Sequence, residues 1–395
     1  MQKRSLGLTL FSGLAILVAA CGPGATQAPS SPASQPPASQ PPASAPASTE
    51  PSASTSALKP IKVGVVTDVG QLEDKSFNQS SNEGAKAAAT ESGGEHNVIV
   101  TQQISDYGAN IQQLIDADFD VIVTVGFLIG SDTAKAAKAN PNTKFVGVDQ
   151  FICVDEKGDP DPTFGCKGDA ATLLPNYQGI VFAEAQPGYL AGIVAGSITK
   201  SGTIGAVGGT NVPAVVNYWR GYENGAKSVK ADIEVLYQET DPNPAVGFND
   251  PAKGRTLANQ FISQGADVVF QIAGLTGQGV LEAACAKEGV YGIGVDVDQA
   301  VSLPNLAKCI VTSAEKKLVD TVKAVVLSVA SDTFKPGNQF YNAASDPQAI
   351  GLSPYHDNAA LITPEIQAKI DAALQGLKDG SLDPCAPIKC TVSGS

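Results

Sequence analysis

Residues 61 to 66, Ile-Lys-Val-Gly-Val-Val, form an apolar, β-branched run without two-residue alternation. Such a run reads as a strand covered on both faces, which commits the chain to a parallel sheet flanked by helices. The strand ends at Thr67 and Asp68, and a polar turn leads to Ser76-Phe77-Asn78-Gln79. Ser76 is placed to cap a helix beginning at Phe77, and Gln79 to reach back and complete a capping box. A carboxylate, an aromatic ring and an amide therefore gather where a strand's C-terminal end meets a helix N-terminus, the place where open α/β sheets bind ligands. The plainer alternative is an ordinary turn with a packed phenylalanine.

From residue 60 onward, buried strands alternate with helices. Strands are expected at 61–66, 98–102, 121–125, 145–148 and 179–182, then at 203–207, 233–237, 267–272, 291–295, 309–312 and 349–352. Helices are expected near 77–92, 109–117, 131–139, 184–199, 214–229, 251–264, 277–288, 316–331 and 364–377. So many βα units exceed one sheet and predict two doubly wound, Rossmann-like lobes. Both halves repeat one device: FDVIVTVG (119–126) and DVVFQIAG (267–274) each run into a glycine before a helix, so that two similar strand ends face a shared cleft. The expected division is 59–183 with 308–337 for the first lobe and 184–307 with 338–395 for the second.

The first residues stand apart from this pattern. Lys3 and Arg4 precede an apolar stretch, Leu6 to Ala20, that is short for a membrane span and ends in Val18-Ala19-Ala20-Cys21. This predicts a signal peptide over 1–20 and a lipid-modified Cys21, against the alternatives of a short anchor or a plainly cleaved signal. Residues 21–58, almost all Pro, Ala, Ser, Thr, Gly and Gln, then form a disordered tether reaching on the order of 100 Å at about 3.1 Å per residue. The expected location is the extracytoplasmic face of the cell membrane. In that oxidising compartment the six remaining cysteines fall into sequence neighbours: Cys153 with Cys166, Cys285 with Cys309, and Cys385 with Cys390. A metal site is the alternative, but no Cys-x-x-Cys occurs and the only histidines are His96 and His356.

Charge narrows the partners. A net charge of −13 with only Arg4, Arg220 and Arg255 as arginines speaks against nucleic acid and against a phosphorylated ligand. Acids collect at predicted strand ends: Asp68, Asp106, Asp149, Asp296 and Asp298. Carboxylates accept hydrogen bonds from vicinal hydroxyls, which favours a neutral polyol or glycoside; each aspartate could equally cap a helix or form an Asx-turn. Phe248 precedes the expected helix start Asp250-Pro251 and so mirrors Phe77, and two such rings could hold a planar base. Lys316, after a strand, could donate to a ligand oxygen, whereas Trp219 and Tyr222 read as core. G-x-G-x-x-G, the P-loop and G-x-S-x-G are all absent, so no catalytic motif is present.

The segments VGVVTD, DKSFNQ, DVIVTVGF, GFNDPAKG, GADVVFQIAGLTGQGV, YGIGVDVDQ and TSAEKK resemble, in collinear order over about residues 60 to 380, the basic membrane protein family of substrate-binding lipoproteins, also called purine nucleoside receptor A-like. The resemblance implies an α/β type 1 periplasmic-binding-protein fold, with two lobes joined by three crossovers, that closes on a small molecule and delivers it to an ABC permease. The expected protein is a non-enzymatic monomer without cofactor or metal. Carried over position by position, the resemblance implies ligand contacts from Asp68, Phe77, Asn78 and Asp106 in the first lobe and from Phe248, Gly274, Asp296 and Lys316 beyond it. The implied ligand is a nucleoside, with purine favoured; rival readings are a sugar, a riboflavin-like heterocycle, a sensory role and, more remotely, an enzyme such as a nucleoside hydrolase or a cofactor-dependent dehydrogenase. Gly247 and Glu315 depart from residues common in the family, and the loop 151–175 and the six cysteines are not general family features.

Overall fold

The computed structural model describes residues 58–390, so the expected signal peptide, Cys21 and the tether up to residue 57 lie outside the described residues. The first βα series comprises β1 (Val63–Val66), α1 (Phe77–Ser92), β2 (His96–Ile99), α2 (Tyr107–Asp116), β3 (Val121–Val125), α3 (Gly130–Ala139), β4 (Lys144–Val148), α4 (Ala170–Leu173) and β5 (Tyr177–Phe182). The second runs through α5 (Ala185–Ile198), β6 (Thr203–Gly208), α6 (Pro213–Val229), β7 (Glu234–Glu239), α7 (Pro244–Gly247), α8 (Pro251–Ser263), β8 (Val268–Ile272), α9 (Thr276–Cys285), β9 (Tyr291–Asp296), α10 (Gln299–Ser302) and β10 (Ile310–Lys316). The chain then adds α11 (Leu318–Ala330), β11 (Gly337–Tyr341), β12 (Ile350–Leu352) and α12 (Pro364–Asp379).

Two six-stranded sheets result, ordered β11-β5-β4-β3-β1-β2 and β12-β10-β9-β8-β6-β7. Apart from β12, which runs antiparallel to β10, all the pairings are parallel. The apolar runs explain this, because every residue of β1, β3 and β8 is buried and needs helices on both sides. In each sheet the strand order reverses at the first strand, β1 or β6, and ligands bind outside the carboxyl ends at such switch points.

The chain passes between sheets three times: after Phe182, after Lys316 and after Tyr341. Backbone hydrogen bonds tie the crossings together, from Ala183 N to Tyr341 O at 3.0 Å and from Lys317 N to Ala349 O at 2.8 Å.

Two sequence expectations are corrected here. The strand expected at 309–312 continues to Lys316, so Lys316 ends a strand rather than opening a helix. The expected lobe limits also shift: β10 belongs to the second sheet although 308–337 was expected in the first lobe, and β11 runs past 338 within the first sheet. The polar run Thr312-Ser313-Ala314-Glu315-Lys316 hides a strand because its partners are distant in sequence. Thr312 Oγ1 donates to Ser353 O at 2.8 Å, and Ser313 N donates to Ser353 Oγ at 2.7 Å.

Disulfides join Cys153 to Cys166, Cys285 to Cys309 and Cys385 to Cys390. Among the described residues no helix is long and apolar enough to cross a membrane.

Candidate functional site

A cleft with an empty volume of about 700 Å³, open at its mouth, lies between the carboxyl ends of the two sheets. Its first wall starts at Asp68, just beyond β1. Asp68 Oδ1 accepts from Val69 N at 2.7 Å and from the Tyr107 hydroxyl. Burial nevertheless dominates and lifts the carboxyl from 3.8 to about 6. Gly126, at the end of β3, makes room for this group: its φ is +98°, and a Cβ there would stand 1.9 Å from Asp68 Oδ2. Asn78 lines the same wall, with its Oδ1 accepting from Asp68 N at 3.2 Å and its Nδ2 donating to Gln71 O at 3.3 Å.

The expected cap of α1 is replaced. Asp74 accepts from Ser76 N at 3.0 Å, Asn78 N at 2.9 Å and Gln79 N at 3.2 Å, while Ser76 makes no side-chain cap. Gln79 Oε1 instead accepts from Lys75 N at 3.3 Å. A carboxylate is the better acceptor at a helix N-terminus, and it frees the Ser76 hydroxyl. That hydroxyl donates across the cleft to Asp296 Oδ2 at 2.6 Å. Burial pushes the Asp74 carboxyl up to about 7 against the three backbone donors, with Asp296 nearby adding to the rise.

Lys316 is the centre of the charge arrangement. Its ammonium is 2.5 Å from Asp149 Oδ2 and 3.4 Å from Asp296 Oδ1, and the residue is only 3% exposed. It also lies over the rings of Phe77 at 4.8 Å, Tyr218 at 5.5 Å and Phe182 at 5.7 Å. Burial opposes its charge, but Asp149, Asp296 and Glu184 outweigh that, so the lysine is held above its ordinary value and stays protonated. The carboxylates bear the cost. Burial raises Asp149, and it raises Glu184 from 4.5 to about 8 with the charge of Asp149 adding to the effect.

Asp149 and Asp296 are counterparts. Each follows a Gly-Val pair at the end of the fourth strand in its series, and each has left-handed backbone, with φ 54° and 65°. The two aspartates thus converge on one lysine from opposite sheets.

Phe77 and Phe248 both line the cleft, half-buried, as does Gly274 at the end of β8 with φ +51°. Phe248 depends on Gly209, because a Cβ at that glycine would lie 2.2 Å from the Phe248 ring. Gly247 is similarly tight: a Cβ there would meet Gly209 O at 2.5 Å, which accounts locally for its departure from the commoner residue. Asp250 caps α8 by accepting from Lys253 N at 2.9 Å.

Of the expected site residues, the cleft brings together Asp68, Phe77, Asn78, Phe248, Gly274, Asp296 and Lys316. Asp106 is not among the lining residues. It sits half-exposed at the start of α2 and accepts from Ser105 Oγ at 3.3 Å, while its neighbour Tyr107 turns inward to Asp68. Asp298 also proves to be a cap, accepting from Ala300 N at 3.2 Å and pairing with His356 Nε2 at 2.6 Å.

Asp74, Tyr218 and Glu184 escaped the sequence reading, and Asp149 was noticed there without being given a role. The repeated Gly-Val-Asp of 147–149 and 294–296 is the signal that pairs Asp149 with Asp296. Glu184 carries no comparable mark. It heads α5 at the first crossing and accepts from Asn217 Nδ2 at 3.2 Å. Chemically, the cleft offers several acceptors, one buried ammonium and apolar walls. That combination suits a neutral, hydroxyl-bearing molecule and disfavours an anion. Among the described residues, no cluster of three or more His, Cys, Asp or Glu side chains could hold a metal ion.

Residues 61–372 match the family described as Bmp, ABC transporter substrate-binding protein PnrA-like. The chain is 32% identical over 340 residues to the ABC transporter nucleoside-binding protein BmpA of Lactococcus lactis, covering 82% of this chain and 88% of that one. It is 32% identical over 272 residues to basic membrane protein B of Borreliella burgdorferi, covering 68% and 73% of the two chains. Among solved structures, an ABC transporter solute-binding protein from Aeropyrum pernix superposes with a TM-score of 0.68 at 24% identity, over 82% of this chain and 93% of that one. A periplasmic solute-binding protein from Actinobacillus succinogenes, solved with bound D-allose, matches with a TM-score of 0.53 at 13% identity, over 76% and 99%. Likenesses at these identities show the type 1 fold alone.

Proposed function

The chain belongs to the Bmp family of PnrA-like ABC transporter substrate-binding proteins, and from that premise we propose that its cleft captures a nucleoside, a purine one by preference, for a membrane permease. In this reading Phe77 and Phe248 hold the base between them, and Asp296, Asp149 and Lys316 bind the sugar hydroxyls. Asp68 and Asn78 contact the base edge, and Gly274 offers backbone. Asp106 takes no part. Cys21 carries the lipid anchor, the tether spans to the globular body, and the protein works as a monomer without catalysing a reaction.

The observation that carries this reading is the buried Lys316 between Asp149 and Asp296, beside two half-buried phenylalanines in one cleft. A diol gains charge-assisted bonds of about 1.5–3 kcal/mol each there, and each ring contributes about 0.5–1.5 kcal/mol beyond burial when stacked on a base. A ligand that touches both lobes binds the closed form best and shifts the population toward it.

Calorimetric titration with adenosine, uridine and ribose tests the proposal. Adenosine should bind at micromolar concentration or below, and Phe77→Ala should weaken it tenfold or more. Absence of adenosine binding, or an unchanged affinity in the variant, would overturn it.

A further inference from the structure

Tyr107 opens α2 but is not among the residues that line the cleft; it is fully buried, in one core cluster with Val66, Val69, Ile111 and Leu114. Its hydroxyl nevertheless reaches the site through Asp68. That hydroxyl and Val69 N, the latter at 2.7 Å, both donate to Asp68 Oδ1. Asp68 Oδ2 takes no hydrogen bond among the described residues, and it is not one of the buried atoms sealed off without a partner. It lies beside Gly126, whose missing side chain keeps the space next to it clear.

The two oxygens of one carboxyl therefore differ. Oδ1 spends both its lone pairs on fixed donors and has no room for a proton, so the proton of a neutral Asp68 sits on Oδ2. Ionised, Asp68 accepts a ligand hydrogen bond at Oδ2; neutral, it donates one there. Tyr107 stays a donor throughout, because burial and then the charge of Asp68 push its phenol well above its ordinary value. Two further carboxylates bear on the pair: Asp149, beyond β4, adds to the rise of Asp68, and Asp132, on α3, acts on Tyr107. Asp74, Asp296 and Lys316 line the same cleft.

We propose that Tyr107 is a positioning residue for ligand selection: by occupying Oδ1 it leaves Asp68 a single working oxygen, Oδ2, which recognises an N–H on the edge of the base. The proposal rests on the nucleoside reading above and deepens it. The preferred ligands are nucleosides whose base edge carries an N–H, and a base with none leaves a partly buried carboxylate unpaired.

The test compares adenosine and inosine, whose base edges each carry an N–H, with purine riboside, whose edge carries none. Affinities are measured by calorimetry on the wild-type chain, on Tyr107→Phe, which keeps the buried ring, and on Asp68→Asn. At about pH 7.5 at least one of the first two nucleosides should bind the wild type about tenfold or more tighter than purine riboside, as a hydrogen bond to a charged group warrants. That margin should shrink as pH falls through about 6, where Asp68 takes up its proton. Tyr107→Phe should cut the margin about threefold or more, change purine riboside less than about twofold, and move the midpoint to higher pH, because the lost hydroxyl is what holds the carboxyl down. Asp68→Asn should leave a margin that does not vary with pH. Asp149, Asp296 and Lys316 act on all three ligands through the shared sugar and cancel in the ratio. Equal weakening of all three by Tyr107→Phe with the midpoint in place, or no margin in the wild type, overturns the proposal. Should none of the three bind, the nucleoside reading falls, and the role of Tyr107 is judged separately by carbon-13 NMR titration of the aspartate carboxyls, the Asp68 signal being the one lost in Asp68→Asn. A higher Asp68 midpoint in Tyr107→Phe sustains that role, and an unchanged one overturns it.

Discussion

The hydroxyl of Ser76 and the carboxylate of Asp296, 220 positions apart in the chain, meet at 2.6 Å across the cleft. A second polar contact, from Ser302 Oγ to Lys75 O at 3.2 Å, lies close by. The lobes are therefore latched to each other through their own side chains.

Removing that latch should favour the open form. A hydrogen bond to a charged group contributes about 1.5–3 kcal/mol, so Ser76→Ala should shift the closed-to-open ratio by about tenfold or more. Small-angle scattering of the unliganded variant should show a larger radius of gyration than the wild type, with ligand affinity reduced in step. Identical scattering curves and affinities would show that the contact does not hold the lobes.

The buried carboxyls predict a dependence on pH. In the folded chain Asp68 stands at about 6, Asp74 at about 7 and Glu184 at about 8, each mainly through burial and each above its ordinary value of 3.8, 3.8 and 4.5. A carboxyl with a raised folded value binds more protons folded than unfolded, so stability falls as pH rises between the two values. The melting temperature should accordingly decline from about pH 4.5 to about pH 8 on account of these groups. Glu184→Gln, which removes the highest of them, should flatten the section between pH 6 and 8 by about 2–4 °C or more. Scanning fluorimetry across that range checks this; a wild-type melting temperature that rises from pH 5 to 8, or a variant with the wild-type slope, would contradict it.

Gly209 and Phe248 form a pair that a cycle of variants can probe. Gly209→Ala places a methyl group where the ring lies, and overpacking of this kind typically costs 1–3 kcal/mol, or about 1–3 here. The ring must leave its place at the cleft wall, so affinity should drop about tenfold, much as in Phe248→Ala. Because both changes act through one ring, the double variant should bind no worse than Phe248→Ala alone. Additive losses in calorimetry would mean that Gly209 acts by another route.

The strands were legible wherever burial on both faces leaves an unbroken apolar run, as in β1, β3 and β8, and the doubly wound lobes followed from their alternation with helices. Strands that depend on partners from far along the chain were not. The polar end of β10 is stabilised by Ser353 and by carboxylates from other elements, and β11, Gly-Asn-Gln-Phe-Tyr, is a polar edge strand with no apolar face to reveal it. The cleft shows the same division. Phe77, Phe248 and Asp296 stand next to local landmarks, a helix start or a strand end. Asp74 displaced Ser76 as the cap because a carboxylate two residues upstream outcompetes a hydroxyl, and local spacing allowed either. Asp106 lies outside the cleft lining while the next residue, Tyr107, turns inward to Asp68, a one-residue difference that pattern alone does not fix. Glu184 acquires its role from Asp149 and Lys316, which reach it only through the folded crossings.

Lys316 is the final residue of β10, and Lys317 already leads the chain toward the other sheet. The residue that meets Asp149 and Asp296 is therefore adjacent to one of the three crossings. Lys316 shares its sheet with the strand that ends at Asp296, whereas Asp149 follows a strand of the other sheet, so any rotation between the two sheets changes the distance from the ammonium to Asp149 more than that to Asp296.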